Sequence, residues 1–121
     1  MITILEGFSD NVIAASATGH VTREDYERVL IPRVEATAER HAKIRCYYEI
    51  GADFGGMEAG AAWEDFRVGV AYWMRWERVA VVTDVAWIGH MVNAFRFLMP
   101  GQVRLFSTGE KEAARSWIEP S

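Results

Sequence analysis

The chain has 121 residues, of which 50% are hydrophobic and 25% are charged, and its formal net charge is −4 with neutral histidines. These totals predict one globular domain, residues 1–121, and exclude a disordered chain or one that attracts nucleic acid by its charge. Because no apolar run reaches the roughly 18 residues of a membrane span and Cys46 is the only cysteine, we expect a cytoplasmic protein without integral membrane association, disulfide or nucleic-acid partner.

The first third of the chain predicts two strands and a helix. Residues 2–5 and 11–19 are short β-type runs separated by turn residues, which favours an antiparallel pair. Residues 22–41 predict a helix that has Thr22 as its N-cap and is kinked or broken at Pro32. Its apolar stripe consists of Tyr26, Val29, Leu30, Val34 and Ala38.

The rest of the chain alternates strands with helices. Strands are predicted over residues 44–50, 78–84 and 102–106. Helices are predicted over residues 57–76, 85–99 and 107–118, the last with Ser107 and Glu110 as a capping box. The order ββαβαβαβα indicates an α/β fold with a mixed, mostly parallel sheet of five strands.

The alternation of residue types within the strands predicts how the sheet is covered. In IRCYYEI (44–50) the apolar even-numbered residues share one face, whereas Arg45, Tyr47 and Glu49 share the other. Right-handed crossovers between sequential neighbours place every connecting helix on the same side of the sheet. We therefore predict helices mainly on one face and a partly solvated second face.

The helix over residues 57–76 is expected to pack on the sheet through its aromatic side. Trp63 is predicted to be the core anchor of this helix. The apolar stripe around it contains Ala59, Ala62, Phe66, Val70 and Trp73.

The segment YWMRW (72–76) has too many aromatic residues for one helix face to bury. At about 100° per residue, Trp73 and Trp76 lie on one side of a helix and Tyr72 on another. Exposed aromatic residues are typical of protein interfaces. Tyr72, Trp73 and Trp76 therefore form a candidate interface for a homo-oligomer, most simply a dimer, and the alternative is packing at the end of a core helix.

The stretch GADFGGMEAG (51–60) has four glycines between a predicted strand and a predicted helix. It lacks the Lys and Ser/Thr of a phosphate-binding loop and the glycine spacing of a dinucleotide fingerprint. A tight turn before a helix is one interpretation, and a site for a small neutral or cationic ligand is the other. The candidate ligand or switch loop consists of Asp53, Phe54, Gly55, Gly56 and Glu58.

No group of residues predicts a catalytic or metal centre. His20, His41 and His90 have no close pairing, whereas a metal site needs three or four converging ligands. Cys46 lies on the apolar side of its strand, where a thiol is usually inert. We therefore expect no enzyme activity, no cofactor and no metal.

Three segments resemble one protein family over nearly the whole chain. The segments VTREDYERVLIP, YEIGADFGGMEAGAAWEDF and VAVVTDVAWIGHMVNAFRFLMPGQVRLF are similar to bacterial SpoIIAA-like proteins, small relatives of the STAS domains of anti-sigma-factor antagonists. The resemblance implies a superhelix of β-α units and a regulatory or protein-interaction module. Lipid-transfer domains of the CRAL-TRIO type are related, so a carrier or sensor of a small apolar molecule or lipid is the alternative.

The resemblance also points to a phosphorylation switch that this chain lacks. The sigma-factor regulators have a phosphorylatable serine in the loop after the strand that corresponds to residues 44–50. Here residues 51–63 contain no Ser, Thr or Tyr. The phosphoserine switch therefore cannot be transferred to this position.

Overall fold

A computed structural model describes residues 1–120. The strands are β1 (Ile2–Ile4), β2 (Val12–Val21), β3 (Ile44–Met57), β4 (Trp76–Thr83) and β5 (Gln102–Phe106). The helices are α1 (Arg23–Asp25), α2 (Ile31–Arg40), α3 (Ala59–Ala71), α4 (Ala86–Phe95) and α5 (Lys111–Ile118). A π-helical turn, Tyr26–Leu30, joins α1 to α2, and 3-10 turns span Arg96–Leu98 and Thr108–Glu110. The predicted order of strands and helices is confirmed.

The five strands form one sheet in the order β1-β2-β3-β4-β5. Strands β1 and β2 are antiparallel, and all other neighbours are parallel. The main apolar core lies between the sheet and the π-helical turn, α2, α3 and α4, and a smaller cluster lies under α5 on the opposite face. The mostly parallel sheet with helices mainly on one face is therefore confirmed.

Helix α5 covers part of the second face of the sheet. Arg104 on that face is exposed and Glu49 is half-buried, so the face is partly solvated as predicted, but less so than expected without α5. Tyr47 is 1% exposed and belongs to an apolar cluster with Ala114 and Ile118 of α5. The ring of Phe8 lies 4.9 Å from that of Tyr47. Helix α5 can occupy this face because it follows the last strand and is not part of a crossover.

Two arginines of the sheet hold the C-terminal end of α5. Arg45 donates from Nη1 to the carbonyl oxygens of Ile118 at 3.1 Å and Glu119 at 3.3 Å. Arg78 donates from Nη1 to the carbonyl oxygen of Trp117 at 2.7 Å. Carbonyl groups at a helix C-terminus lack intrahelical partners and attract positive charge. The guanidinium groups therefore fix the end of α5 to β3 and β4.

The helical stretch after β2 begins as predicted. Thr22 and Asp25 form a reciprocal capping box, with Asp25 N donating to Thr22 Oγ1 at 3.2 Å and Thr22 N donating to Asp25 Oδ2 at 2.9 Å. Pro32 is the second residue of α2 and follows the π-helical turn almost directly. The irregular point is the π-helical turn before it. Of the predicted stripe, Val29 is partly buried, and four residues are fully buried: Tyr26, Leu30, Val34 and Ala38.

The glycine-rich stretch is mainly a continuation of β3 and not a tight turn. Gly19, His20 and Val21 of β2 pair with Phe54, Gly56 and Met57 of β3. Strand β3 advances by seven residues between Ile50 and Met57, whereas the paired part of β2 advances by only four, from Ala17 to Val21. The extra residues of β3 form two bulges. Gly19 and Gly56 have φ values of +58° and +120°, which glycine adopts most readily. The glycines therefore allow the bulges.

Gly56→Ala is expected to lower the free energy of unfolding by about 1–3 kcal/mol, because a side chain strains the backbone at positive φ. Gly55→Ala is the matched control, since a Cβ there would lie 3.6 Å from the Gly19 backbone, an ordinary contact. Urea unfolding of both variants measures the difference. Equal midpoints for the two variants would contradict the backbone argument.

Candidate functional site

Helix α3 turns its large apolar side chains away from the sheet. Its buried residues are Ala61, Glu64 and Val68. Trp63 is 57% exposed and Phe66 is 62% exposed, and their rings stack with centroids 5.9 Å apart. The prediction that Trp63 is the core anchor is therefore wrong.

Polar contacts on the buried side of α3 fix the rotation of this helix about its own axis. Glu64 is 2% exposed and lies 3.4 Å from Arg23 Nη2 and 2.5 Å from Arg67 Nη2. Gly60 lies close to the Arg23 side chain, and a Cβ there would be 3.0 Å from Arg23 Cδ. Gly60 and Glu64 therefore fit against Arg23 of α1. The aromatic side of α3 is too bulky for this contact.

A buried hydrogen-bond chain links α3 to the core. Tyr26 donates to Asp65 Oδ1 at 2.9 Å, and its hydroxyl lies 3.0 Å from that of Tyr48. Burial raises the pKa of both tyrosines, so they stay neutral donors. Asp65 is exposed as a residue, but protein atoms crowd its carboxyl group, and this desolvation raises its pKa.

Helix α4 and the 3-10 turn after it also expose apolar side chains. Ile88 is 8% exposed and packs on the core. In contrast, Trp87 is 50%, Met91 51% and Phe97 80% exposed. Helices α3 and α4 are successive crossovers on the same side of the sheet, and both pack on the main apolar core. We call this surface the α3–α4 apolar face, and it consists of Trp63, Phe66, Val70, Trp87, Met91, Phe95, Phe97 and Leu98.

The three residues of the predicted aromatic interface differ in their exposure. Trp76 is the first residue of β4, pairs with Ile44 and is only 7% exposed. Tyr72 and Trp73 are half-buried in the turn after α3. The expectation that Trp76 is a surface residue is therefore corrected, and Tyr72 and Trp73 provide a smaller exposed area than predicted.

The guanidinium of Arg75 explains why the helix stops before this segment. Its Nη2 donates to the carbonyl oxygens of Ala38 and of His41, the latter at 2.6 Å, and its Nε donates to that of Ala42 at 3.1 Å. These bonds tie the turn to the end of α2. Helix α3 therefore ends at Ala71, five residues earlier than predicted.

The five residues of the candidate ligand loop have different surroundings. Phe54 packs towards α4, with its ring centroid 6.2 Å from that of Trp87. Glu58 accepts a hydrogen bond from Arg23 N at 3.0 Å, and Asp53 is exposed. Gly55 and Gly56 belong to the bulged strand. Two clefts, of about 110 and 230 Å³, lie by the β1–β2 loop and at the end of β4, and none of the five residues lines them.

The described residues contain no group of three or more His, Cys, Asp or Glu side chains placed to hold a metal. Burial raises the pKa of the Cys46 thiol to about 12, so this side chain is not a thiolate nucleophile near neutral pH. Within residues 1–120, every helix is too short or too polar to cross a membrane.

The fold and the family assignment agree with each other. The model of the SpoIIAA-like family matches residues 12–119. The chain belongs to the SpoIIAA-like family. This confirms the resemblance carried by the three sequence segments, and the STAS-like fold with it.

A solved structure is similar to this SpoIIAA-like chain over almost its whole length. It is an uncharacterized protein of the DUF3478 family from Shewanella loihica PV-4, with a SpoIIAA-like fold. The two share 25% sequence identity and a TM-score of 0.75, over 98% of this chain and 92% of the other. No curated protein matches the chain.

Sequence reasoning missed the α3–α4 apolar face of this SpoIIAA-like protein. The sequence predicts an interface at YWMRW (72–76) because the aromatic side chains there are nearly consecutive. Exposed Trp63, Phe66 and Val70 are spaced like an ordinary core stripe. The one available signal was Glu64 and Asp65 on the same helix, which have polar partners in α1 and the π-helical turn.

Proposed function

We propose that this SpoIIAA-like protein is a non-enzymatic, cytoplasmic interaction module of the STAS type that binds another protein chain through the α3–α4 apolar face. The observation that carries the proposal is the exposure of eight large apolar side chains on α3, α4 and the 3-10 turn after α4. Soluble monomers rarely leave so much apolar surface in water unless it has a function. Tryptophan, phenylalanine and methionine are also the residues enriched in interface cores.

Regulation of this binding differs from that of the sigma-factor regulators. Residues 51–63 contain no hydroxyl side chain, and residues 51–57 of that stretch belong to a paired strand. A phosphoserine at the start of α3 is therefore not the switch of this module. Phosphosite mapping of protein from the native host is expected to find no modified residue in this range.

A second candidate function is the transport or sensing of a small apolar molecule. The observation that favours it is the contact of Phe54 with Trp87, which extends the apolar surface from α4 to the end of β3. Native mass spectrometry of protein purified from its own host tests this alternative. A bound small molecule that is lost in Met91→Glu would support the carrier function over the interaction module.

Affinity capture from the native host tests the interaction module. The baits are wild-type protein, Met91→Glu on the face, and Ala113→Glu as a control on exposed α5 behind the sheet. We expect at least a tenfold loss of a captured protein with Met91→Glu and no loss with Ala113→Glu, because burying a new carboxylate in an apolar contact costs several kcal/mol. If wild type and Met91→Glu capture the same amount of the partner protein, the assignment of the α3–α4 apolar face is contradicted.

A further inference from the structure

We infer that the α3–α4 apolar face is occupied by a second copy of this chain in a two-fold symmetric dimer. The inference rests on the proposed function of that face and names its occupant. In a two-fold contact the same patch lies on both partners, so the patch must be compatible with itself. Three features of the face meet this condition: its area, the absence of charge among its eight residues, and the partners that the acids of α3 have within the protomer.

The area of the face matches half of a stable dimer interface. Its five aromatic side chains, Trp63, Phe66, Trp87, Phe95 and Phe97, are 50–80% exposed. At roughly 150–250 Å² for each such side chain, they leave on the order of 450–750 Å² of aromatic surface in water. Val70, Met91 and Leu98, each more than half exposed, enlarge it further. A standard interface takes about 800 Å² from each partner, whereas the largest apolar patch of a typical monomer is about 300–600 Å².

The charges around the face do not oppose self-contact. All eight of its residues are uncharged. Arg67, which shares the outer stripe of α3 with Trp63, is neutralised by Glu64 Oε2 at 2.5 Å. The guanidinium of Arg96 lies 5.1 Å from the ring centroid of Phe97, as arginines often do at interfaces. A strongly acidic or basic centre would repel its own copy, and this face has neither.

The acids of α3 have partners within the same protomer. Glu64 contacts Arg23, and Asp65 accepts from Tyr26. If the helix were rotated to bury Trp63 and Phe66, these two carboxylates would lose their partners. The fold therefore keeps the aromatic side of α3 outward, and a second copy covers it without any rearrangement of the protomer.

Sedimentation equilibrium of the full chain at micromolar concentrations tests the dimer. Wild type is expected to give twice the 13.7 kDa chain mass. Phe66→Glu on α3 and Met91→Glu on α4 are expected to weaken the dimer at least tenfold and give the monomer mass, and the control Ala113→Glu is expected to remain dimeric. Because all three positions are exposed, the far-UV spectrum should not change. Should a glutamate variant fail to fold, Phe66→Ala and Met91→Ala replace it, with the same expected direction.

A wild-type monomer throughout this range would overturn the inference. A dimer that persists in folded Phe66→Glu and Met91→Glu would also overturn it, because the contact would then lie on another surface. The first result leaves the proposed function intact if the native-host capture still depends on Met91. Conversely, a face-dependent dimer without any captured partner protein supports the inference and contradicts binding to a different protein.

Discussion

Trp76→Ala is expected to lower the free energy of unfolding by about 3–5 kcal/mol, whereas Trp63→Ala should change it by less than about 0.5 kcal/mol. The two tryptophans differ in burial and not in chemistry. Trp76 is 7% exposed and packs in the main core at the start of β4, while Trp63 is 57% exposed on the outside of α3. Removing a buried indole leaves a cavity, and removing an exposed one does not.

Urea unfolding of both variants measures this difference, followed by the far-UV signal because tryptophan fluorescence changes with the substitutions. Both are made in the Met91→Glu background, so that self-association through the α3–α4 apolar face does not stabilise Trp63. Similar midpoints for the two variants, or a larger loss at Trp63, would show that α3 packs in the opposite rotation.

Tyr26→Phe is expected to lower the free energy of unfolding by about 1–3 kcal/mol for each polar group that it leaves without a partner. The Tyr26 hydroxyl is the middle of the chain, because it bonds both Asp65 and Tyr48. Tyr48→Phe is the matched control, since it removes a terminal hydroxyl and should cost only about 0.5–1.5 kcal/mol. Urea unfolding of the two variants compares these costs. If Tyr48→Phe costs as much as Tyr26→Phe, the hydroxyl of Tyr26 is not the central group.

Asp65→Asn is expected to change how stability depends on pH. Desolvation raises the folded-state pKa of Asp65 above its unfolded value of about 3.9. A raised pKa contributes stability that is fully present below the unfolded pKa and is lost as pH rises through the folded pKa. Because asparagine keeps an acceptor for Tyr26 without ionising, the variant should gain free energy of unfolding over wild type as pH rises above about 4.

Unfolding measured from about pH 4 to pH 8 tests this expectation. The quantity to compare is the free energy of unfolding of Asp65→Asn minus that of wild type at each pH. Carboxyl groups with lowered pKa values, such as Asp25 and Asp84, contribute equally to both proteins, so their contributions cancel. A difference that stays constant or decreases with rising pH would mean that the Asp65 carboxylate is well solvated.

The order of elements and the sheet were predictable because they depend on local patterns. The alternation of IRCYYEI placed Ile44 and Tyr48 on the correct side of β3, opposite Tyr47. The capping boxes at Thr22 and Ser107 also involve residues three positions apart. Periodicity and capping are therefore sufficient wherever neighbours in sequence determine the structure.

The rotation of α3 was not predictable because both of its sides contain apolar residues. Ala61 and Val68 on one side compete with Trp63 and Phe66 on the other, and size favours the wrong side. The deciding contacts come from Tyr26 and Arg23, which are distant in sequence. Similarly, β3 continues past Ile50 because it pairs with Gly19 to Val21 of β2, which no local pattern of glycines indicates.

The attachment of α5 by Arg45 and Arg78 has a consequence for the order of folding. All five strands precede α5 in the chain, so during synthesis the sheet can form before the helix that covers its second face exists. Until Ile118 reaches Arg45, which precedes it by 73 residues, Tyr47 and its apolar neighbours are exposed to the solvent. A ribosome-bound chain at this stage presents a bare sheet surface, which is the kind of intermediate that chaperones protect from aggregation.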